Sequence, residues 1–395
     1  MDILNIIGRT NFLFDKDLLD INEELTNTVK NSSFLVVGGA GSVGQSVCKE
    51  IFKRSPKVLH VVDISENNLV ELVRDLRSSI GYIGGDFRTF VLDCSSIEFE
   101  ILMSREGPYD FILNLSALKH VRSEKDSYSL MRMIQVNILN PIRIAKLSKR
   151  YGVKKYFCVS TDKAANPISM MGSSKRIMEK FLMRESLTLP ISMARFANVA
   201  FSDGSLLHGF NKRIEKQQPI SAPKDIKRYF ITPQESGELC LISCLFGENR
   251  DIFFPKLNEE LHLLSFPQIV YKYLHSLGFE PFECNNEAEA RNNVKNLINK
   301  KKWPCYFFAS DTSGEKEFEE FYTIDENIDF NVFKNIGIIK NEAKFEGHKL
   351  DKFLEEINSY CSKKAWNKTD LVNLFLDIDL SFEHKETGKY LDQKM

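Results

Sequence analysis

Short apolar runs alternate with stretches of helical spacing through the first half of the chain. Each run is three to five residues long and rich in Val, Ile, Leu and Phe, which is typical of a fully buried strand. Between the runs, stretches such as Val43–Phe52 and Leu69–Ile80 repeat apolar residues at helical intervals. Because buried strands that alternate with helices form a parallel sheet covered on both faces, the pattern predicts an α/β fold with a doubly wound parallel sheet. The predicted strands are Phe34–Val37, Val58–Val62, Phe90–Leu92, Phe111–Leu113 and Tyr156–Val159.

The pattern changes at about residue 196, where proline, phenylalanine and loop residues become more frequent. We therefore predict a Rossmann domain over residues 31–195 and a smaller C-terminal substrate domain over residues 196–322, segments of which can return to the sheet. Within the second domain, Thr232 and Pro233 predict the N-cap and first residue of a helix that runs to about Phe246. Residues 1–30 and 323–395 are an N-terminal and a C-terminal extension.

Composition and charge exclude several classes of protein. The chain has 395 residues with 53 Lys and Arg against 54 Asp and Glu, so it offers no electrostatic footprint for nucleic acid or an anionic membrane. No apolar run approaches the ~20 residues of a membrane span, and the N-terminus lacks a signal-peptide pattern, so we expect a cytoplasmic protein. The 8 cysteines are scattered without paired ligand spacing, so we expect neither a disulfide scaffold nor a metal.

A glycine-rich turn follows the first predicted strand and opens the first helix. Gly38, Gly41 and Gly44 have G-x-x-G-x-x-G spacing, with Ser42 and Val43 between the second and third glycine. Glycines at such a turn let the backbone approach a pyrophosphate closely at a helix N-terminus. The spacing resembles that of short-chain dehydrogenases, and the alternative is a tight strand–helix turn without a ligand.

Two aspartates follow the next two predicted strands. Asp63 ends the second strand, 19 residues after Gly44, where an acidic side chain accepts hydrogen bonds from a ribose 2′-hydroxyl and repels a 2′-phosphate. The glycines and Asp63 together predict a dinucleotide site that holds NAD. Asp93 ends the third strand and lies near the adenine in this interpretation; an ordinary cap or turn aspartate is the alternative.

A polar cluster ends the fifth predicted strand, where this type of sheet places its chemistry. Thr161, Asp162 and Lys163 bring together a hydroxyl, an acid and an amine, which can donate hydrogen bonds and transfer protons. A solvated turn at a strand end is the alternative. Lys175 follows at the start of a helix, where short-chain dehydrogenases carry a Tyr-x-x-x-Lys motif. Met171 stands at the tyrosine position, and its thioether cannot act as a base.

Several linked segments resemble the UDP-N-acetylglucosamine 4,6-dehydratases, which are extended short-chain dehydrogenases/reductases of bacterial polysaccharide biosynthesis. The resemblance covers about residues 34–322. It is strongest to members that retain the configuration at C5, several of which have methionine at the tyrosine position and Thr-Asp-Lys upstream. The matching segments are Asn114–Val121, Ser160–Arg176, Ala194–Phe210, Arg228–Thr232 (against R-F-F-x-T) and Gly314–Lys316 (against P-G-E-K).

The resemblance implies an NAD-dependent reaction on a UDP-sugar, carried out by a homo-oligomer. In such enzymes the sugar C4 is oxidised by hydride transfer to NAD⁺, water is eliminated across C5 and C6, and hydride returns to C6. By motif match, Lys163 is the base at C5, Asp162 is the acid for the C6 hydroxyl, and Thr161 hydrogen-bonds near the C4 and C6 oxygens. A lysine base must be neutral part of the time, so this role requires a lowered pKa, caused by desolvation or by a cation such as Lys175. Lys175 also holds the nicotinamide ribose.

The resemblance leaves some assignments open. The group that deprotonates the C4 hydroxyl is Thr161, Asp162 or a bound water. Asn137 is similar to an asparagine that fixes active-site backbone or water in related enzymes, and a helix-surface amide is the alternative. The chain departs from the family at Thr312 and Ser313, where Arg-Pro is common, and by its extension past residue 323. The residues implied to contact the substrate are Lys119, His120, Asn198, Ser205, Arg228 (as a partner for a phosphate) and Glu315.

Two other functions compete with dehydration. A sugar-nucleotide 4-epimerase on the same scaffold also oxidises C4 transiently but eliminates nothing, and the Thr161–Lys163 cluster disfavours it. A non-catalytic NAD-binding protein would explain the missing tyrosine. Retention of both Lys163 and Lys175 disfavours that alternative.

We predict that the protein prefers NAD to NADP, because Asp63 stands where a 2′-phosphate would lie. The dissociation constant for NAD should be lower by at least about tenfold, which corresponds to about 1.4 kcal/mol. Isothermal titration of the purified protein with each cofactor measures the difference. Tighter binding of NADP would contradict the assignment of Asp63.

Overall fold

The structure, a computed structural model, describes residues 2–258, 262–314, 316–389 and 395 of the chain. The strands are β1 (Ser33–Val37), β2 (Val58–Asp63), β3 (Asp86–Val91), β4 (Phe111–Asn114), β5 (Lys155–Thr161), β6 (Ile191–Phe196), β7 (Asn198–Val199), β8 (Ile220–Pro223), β9 (Lys227–Ile231), β10 (Ile252–Pro255), β11 (Leu263–Ser265), β12 (Glu280–Glu283), β13 (Lys302–Phe308), β14 (Ile328–Asp329) and β15 (Ile336–Ile339). The helices are α1 (Ile3–Ile6), α2 (Asp15–Lys30), α3 (Ser42–Phe52), α4 (Glu66–Ser79), α5 (Ile97–Glu106), α6 (Ser127–Ile134), α7 (Asn140–Arg150), α8 (Met170–Glu185), α9 (Leu206–Glu215), α10 (Pro233–Phe246), α11 (Phe266–Ser276), α12 (Glu287–Asn292), α13 (Val294–Asn299), α14 (Gly347–Lys363) and α15 (Lys368–Ile378).

The main sheet has the order β14-β15-β10-β6-β5-β4-β1-β2-β3. Strands β1 to β6 and β10 run parallel, whereas β15 pairs antiparallel with β10, and β14 antiparallel with β15. The predicted doubly wound α/β fold is therefore confirmed. The strand order reverses beside β1, and ligands of such sheets bind in the crevice at that point, at the carboxyl ends of the strands.

Burial explains which strands the sequence pattern located well. The central strands β5 and β6 are buried along almost their whole length, so they read as continuous apolar runs. Strand β3 lies at the sheet edge, and its side chains alternate in exposure. The prediction of a strand over Phe90–Leu92 was wrong at its start, because the polar side chains of Asp86 and Arg88 interrupt the apolar run in an edge strand.

Two smaller sheets form beside the main one, with the orders β11-β9-β7 and β12-β13-β8. Their apolar faces share a cluster with α9 and α11 that includes Phe210, Phe230, Tyr273 and Trp303. The predicted boundaries of the two domains stay a prediction. The main sheet takes β10 from residues 196–322, and β14 and β15 from residues 323–395. None of the helices in the described ranges is both long and apolar enough to cross a membrane.

The C-terminal extension covers helices α6 and α8 on one side. Helices α14 and α15 pack on α6 and α8, and the shared apolar cluster includes Met170, Met171, Phe181, Phe353 and Phe375. The extension is therefore part of the packed core and shields one face of α8 from solvent.

The start of α10 was predicted correctly. Thr232 is its N-cap, Pro233 its first residue and Glu235 completes a capping box. The carboxylate of Glu235 also pairs bidentately with Arg9, with both distances 2.6 Å, which ties the N-terminal extension to this helix.

A buried ion-pair network fixes α8 against β6. Arg195 on β6 is 0% exposed and contacts Glu179 of α8 at 2.7 Å and Glu326 at 2.8 Å. Glu179 also accepts a hydrogen bond from Ser160 of β5 at 2.6 Å. Burial would raise the pKa of Glu326, but Arg195 and then Arg176 lower it to about 2. The network therefore joins two strands, one helix and the segment before β14.

We expect Arg195→Ala to lower the free energy of unfolding by about 3–5 kcal/mol, because it leaves two buried carboxylates without their main partner. Urea unfolding followed by circular dichroism measures the change. Arg291→Ala removes an exposed ion pair with Glu287 and should cost less than about 1 kcal/mol. Equal losses in the two variants would contradict the role of Arg195.

Candidate active site

The glycine-rich turn between β1 and α3 has the geometry of a cofactor cradle. Gly38 has a φ of +74°, and a Cβ at Gly44 would lie 2.2 Å from the Gly38 carbonyl oxygen, so the turn closes only with glycine at both positions. A Cβ at Gly41 would make an ordinary 3.6 Å contact with that oxygen. Gly41 is the N-cap of α3 and makes no side-chain cap bond, and Ser42 and Val43 are the first helical residues. The backbone donors of this helix end suit a phosphate.

The two predicted aspartates lie at the same edge of the sheet but make different contacts. Asp63 accepts hydrogen bonds from the backbone of Ala40 in the glycine turn (3.0 Å) and of Ser65 (2.9 Å), so it fixes the turn directly. Asp93 accepts from the backbone and hydroxyl of Ser95 and lies 3.4 Å from Arg132. Partial burial acts to raise the pKa of Asp93, but the hydrogen bonds from Ser95 prevail and lower it. Asp93 therefore caps a turn in this structure, and its role at the adenine stays a prediction.

The Thr161–Asp162–Lys163 cluster lies at the carboxyl end of β5. The Thr161 hydroxyl donates to the Asp162 carboxylate at 2.9 Å, and the Lys163 ammonium lies 3.0 Å from the same oxygen. Asp162 is buried, whereas Lys163 is one-fifth exposed. The amine approaches a second buried carboxylate, that of Glu319, at 3.7 Å. The three groups that the sequence placed side by side are therefore in direct contact.

The prediction that the pKa of Lys163 is lowered was wrong in direction. Desolvation lowers it, but the charges of Asp162 and Glu319 outweigh both desolvation and the opposing charge of Arg228, so the pKa is raised above its ordinary value. Lys175 is not among the principal charges that act on Lys163. Lys163 is held as an ammonium ion by its own surroundings.

Lys175 and Met171 lie on α8 beside the cluster. Lys175 is buried, and its ammonium group donates to the carbonyl of Val159 on β5 at 3.0 Å. Desolvation lowers its pKa, which Cys158 and Glu179 counteract. The Met171 side chain packs in the apolar cluster with the C-terminal extension, and its backbone N–H donates to Glu124 at 2.8 Å. The tyrosine position is thus occupied by a core residue.

Lys119 and His120 lie at the rim of the crevice. The fully buried Asn137 accepts from the Leu118 N–H at 2.8 Å and donates to its carbonyl at 2.9 Å, which confirms the interpretation that this asparagine fixes backbone. The Lys119 ammonium donates to Ser202 at 3.2 Å. Desolvation lowers the pKa of Lys119, although the negative charge of Asp203 opposes this shift. The pKa of His120 is also lowered, by desolvation and by the positive charges of Lys119 and Arg122.

The loop after β7 joins this rim to the glycine turn. The Asp203 N–H donates to the Ser42 hydroxyl at 2.8 Å, and a Cβ at Gly204 would lie 2.8 Å from the His120 ring. Ser205 ends the loop as the N-cap of α9, and its hydroxyl accepts from the His208 N–H at 3.2 Å. The loop therefore connects His120 to Ser42 of the glycine turn, and Ser205 serves as a helix cap at its end.

Arg228, Asn198 and Glu315 are the remaining substrate candidates. Arg228 is buried, and one guanidinium nitrogen donates to the carbonyls of Lys227, Lys316 and Glu317, which ties down the loop after residue 315. Arg228 is therefore a loop anchor in this structure, and its role as a partner for a phosphate stays a prediction. Asn198 is partly buried and makes a long, 3.5 Å bond to the Tyr229 carbonyl. Glu315 lies outside the described residues.

The sequence analysis missed a C-terminal strap, residues 382–389. The Lys385 N–H donates to the Ile168 carbonyl at 3.1 Å, and the Lys385 carbonyl accepts from Gly314 at 3.0 Å. The Glu383 N–H donates to the Pro167 carbonyl at 3.3 Å. The strap thus joins the loop that follows Lys163 to the loop that precedes Glu319. No motif marks these backbone contacts, which explains why the sequence did not reveal them.

Comparison with known proteins identifies the family and the fold. Residues 34–341 match the family model of polysaccharide biosynthesis proteins. The inverting UDP-N-acetylglucosamine 4,6-dehydratase of Campylobacter jejuni (strain ATCC 700819) is 26% identical over 80% of this chain and 90% of its own. The UDP-glucose 4-epimerase of Rickettsia bellii (strain OSU 85-389) is 25% identical over 88% and 96%. The capsular polysaccharide biosynthesis protein CapD of Staphylococcus aureus is 29% identical over 67% of this chain, which spans only 43% of that protein.

Solved structures share the fold at low sequence identity. Pen from Bacillus thuringiensis superposes with a TM-score of 0.64 at 21% identity, covering 80% of this chain and 89% of its own. DesIV, the dTDP-glucose 4,6-dehydratase of Streptomyces venezuelae, solved with NAD bound, has a TM-score of 0.54 at 16% identity, with 74% and 88% covered. These likenesses identify an extended short-chain dehydrogenase/reductase fold.

We expect Gly41→Ala to leave the unfolding free energy within about 0.5 kcal/mol of the unmodified protein, because the added methyl group meets no close protein atom. The same methyl group should lower NAD affinity by at least about tenfold by filling the space of the phosphates. Urea unfolding and isothermal titration measure the two effects. Gly44→Ala is the contrasting variant, since its methyl group must displace the turn and destabilise the protein. Unchanged NAD binding in Gly41→Ala would refute the proposed cradle.

Proposed function

The chain belongs to the polysaccharide biosynthesis protein family, and we propose that within this family it is an NAD-dependent UDP-N-acetylglucosamine 4,6-dehydratase. The product is a UDP-2-acetamido-2,6-dideoxy-4-keto sugar with the C5 configuration retained. Its relatives are sugar-nucleotide dehydratases and epimerases, which supports an enzyme acting on a sugar nucleotide.

The observation that carries the proposal is the contact of Thr161, Asp162 and Lys163 beside a crevice lined by the glycine turn. Elimination of water needs a group that accepts the C5 proton and one that protonates the departing C6 hydroxyl. An amine and a carboxylate within 3.0 Å of each other, at the end of one buried strand, can serve both needs on one face of a sugar. An epimerase has no use for such a pair.

NAD, when bound, supplies the acceptor for hydride from C4 and the donor of that hydride to C6. The α3 N-terminus and Asp63 are placed to hold its pyrophosphate and adenosine ribose, and Lys175 to contact the nicotinamide ribose. The ammonium group of Lys175 donates to the Val159 carbonyl, and desolvation lowers its pKa. We therefore assign Lys175 to cofactor binding and leave the proton transfers to the β5 cluster.

In the elimination step, Lys163 accepts one proton and Asp162 donates another. The C5 proton passes to the neutral amine of Lys163 while the electron pair of the C5–H bond forms the C5=C6 double bond. Oxidation of C4 releases the C4 hydroxyl proton, which passes to the carboxylate of Asp162 directly or through Thr161 or a water. The C6–O bond then breaks, and the hydroxyl leaves as water with that proton from Asp162. Thr161 hydrogen-bonds to Asp162 and orients its carboxyl group. When C6 has received hydride, Lys163 returns a proton to C5 from the same face, which retains the configuration.

A 4-epimerase is the second candidate, favoured by the Rickettsia bellii relative that matches nearly the whole chain. It would oxidise C4 and return hydride to the other face of the same carbon. The two candidates differ in product, since only the dehydratase releases water and forms a 4-keto sugar.

We expect UDP-N-acetylglucosamine incubated with the purified protein in heavy water to give the 4-keto product of the xylo series. NMR should show solvent deuterium at C5 and the original C4 hydrogen at C6. Lys163→Ala should form no product while binding NAD normally, whereas Lys175→Ala should also bind NAD more weakly.

Three outcomes would contradict the proposal in different ways. A C4 epimer without a keto group would establish the epimerase. An arabino product as the first species would refute retention at C5. Near-normal turnover by Lys163→Ala would place the base elsewhere.

A further inference from the structure

The ammonium group of Lys163 lies between two buried carboxylates. Asp162, its sequence neighbour, is 3.0 Å away, and Glu319, distant in sequence, is 3.7 Å away and 4% exposed. Glu319 also lies 3.9 Å from Arg228, which itself holds the loop carbonyls of Lys316 and Glu317. A carboxylate this buried persists only beside cations, so its position is determined by Lys163 and Arg228.

We propose that Glu319 is a positioning residue that sets the protonation state of Lys163 and thereby the pH at which elimination occurs. The consequence for elimination rests on the proposed function, whereas the effect of Glu319 on the charge of Lys163 does not. No motif of the sequence singled out Glu319.

The charges that face Lys163 come from three parts of the fold. Asp162 belongs to the same turn, Glu319 to the loop before β14, and Arg228 to β9. Desolvation and Arg228 favour the neutral amine, whereas Asp162 and Glu319 favour the ammonium ion and prevail. Asp162 is assigned to contact the substrate, so Glu319 is the charge that can be removed without removing a reacting group.

This arrangement has a direct kinetic consequence. Even an ordinary lysine is neutral in fewer than about one molecule in a thousand at pH 7, and Lys163 is held further towards the charged form. Since only the neutral amine has the lone pair that accepts the C5 proton, the rate of elimination should increase with pH. The charge of Glu319 shifts that increase towards higher pH.

The first test measures the charge of Lys163 without any substrate. The full-length protein, with NAD present, is labelled with acetic anhydride across a range of pH, and mass spectrometry follows acetylation at Lys163. In Glu319→Gln, which keeps the size of the side chain but removes its charge, we expect the pKa of Lys163 to fall by at least about one unit. Glu320→Gln is the matched control, because Glu320 is a half-exposed neighbour that pairs with Lys316; it should leave the pKa of Lys163 unchanged.

The second test follows dehydration of UDP-N-acetylglucosamine by the same variants. The alkaline increase in rate should move to lower pH in Glu319→Gln by the same interval as the pKa, and it should not move in Glu320→Gln. A purely structural role would lower the rate at every pH without moving the profile. If Glu319→Gln does not fold, Glu319→Asp replaces it, and we expect a smaller downward shift because the charge is retained farther from the amine.

The two proposals fail separately. Absence of product from the unmodified protein would refute the proposed function and leave the labelling experiment to decide the role of Glu319. A pKa of Lys163 that is unchanged in Glu319→Gln, or in Glu319→Asp where that variant is used, would overturn the role of Glu319.

Discussion

A buried guanidinium group fixes strand β5 and the helix α8 that follows it relative to each other. Arg195 of β6 pairs with Glu179 of α8, and Glu179 accepts a hydrogen bond from Ser160, the residue before Thr161. The strand end that carries the reactive cluster and the helix that carries Lys175 therefore share one anchor. The close approach is possible because residue 172 of the helix is glycine; a Cβ there would lie 2.4 Å from the Lys163 carbonyl oxygen.

The same edge of the sheet gives its two lysines opposite electrostatic surroundings. Lys175 is enclosed by β5 and α8, where desolvation lowers its pKa. Lys163 lies in the crevice between carboxylates from two separate segments, and its pKa is raised. Position in the fold, and not residue type, therefore decides the direction in which each lysine pKa is shifted.

The sequence predicted those features that depend on neighbouring residues. The glycine turn, the buried central strands and the Thr232 cap each follow from a short pattern, and the structure has all of them. Features that depend on distant residues were missed or misjudged. The pKa of Lys163 depends on Glu319, which is 156 positions away in the sequence. The sequence also did not show that the Arg228 side chain contacts loop carbonyls such as that of Lys316. The edge strand β3 began earlier than predicted, because its exposed face carries polar side chains.

The C-terminal strap links the timing of site assembly to protein synthesis. Strands β1 to β6 are complete once residue 196 has been made, whereas the strap that joins the loops beside Lys163 and Glu319 follows Lys163 by about 220 residues. At about 5–20 residues per second, the ribosome needs roughly 11–44 s to add them. A nascent chain can therefore hold strands β1 to β6 while the loop after Lys163 and the loop before Glu319 are still untied. Joining these two loops must therefore follow synthesis of the first six strands of the sheet.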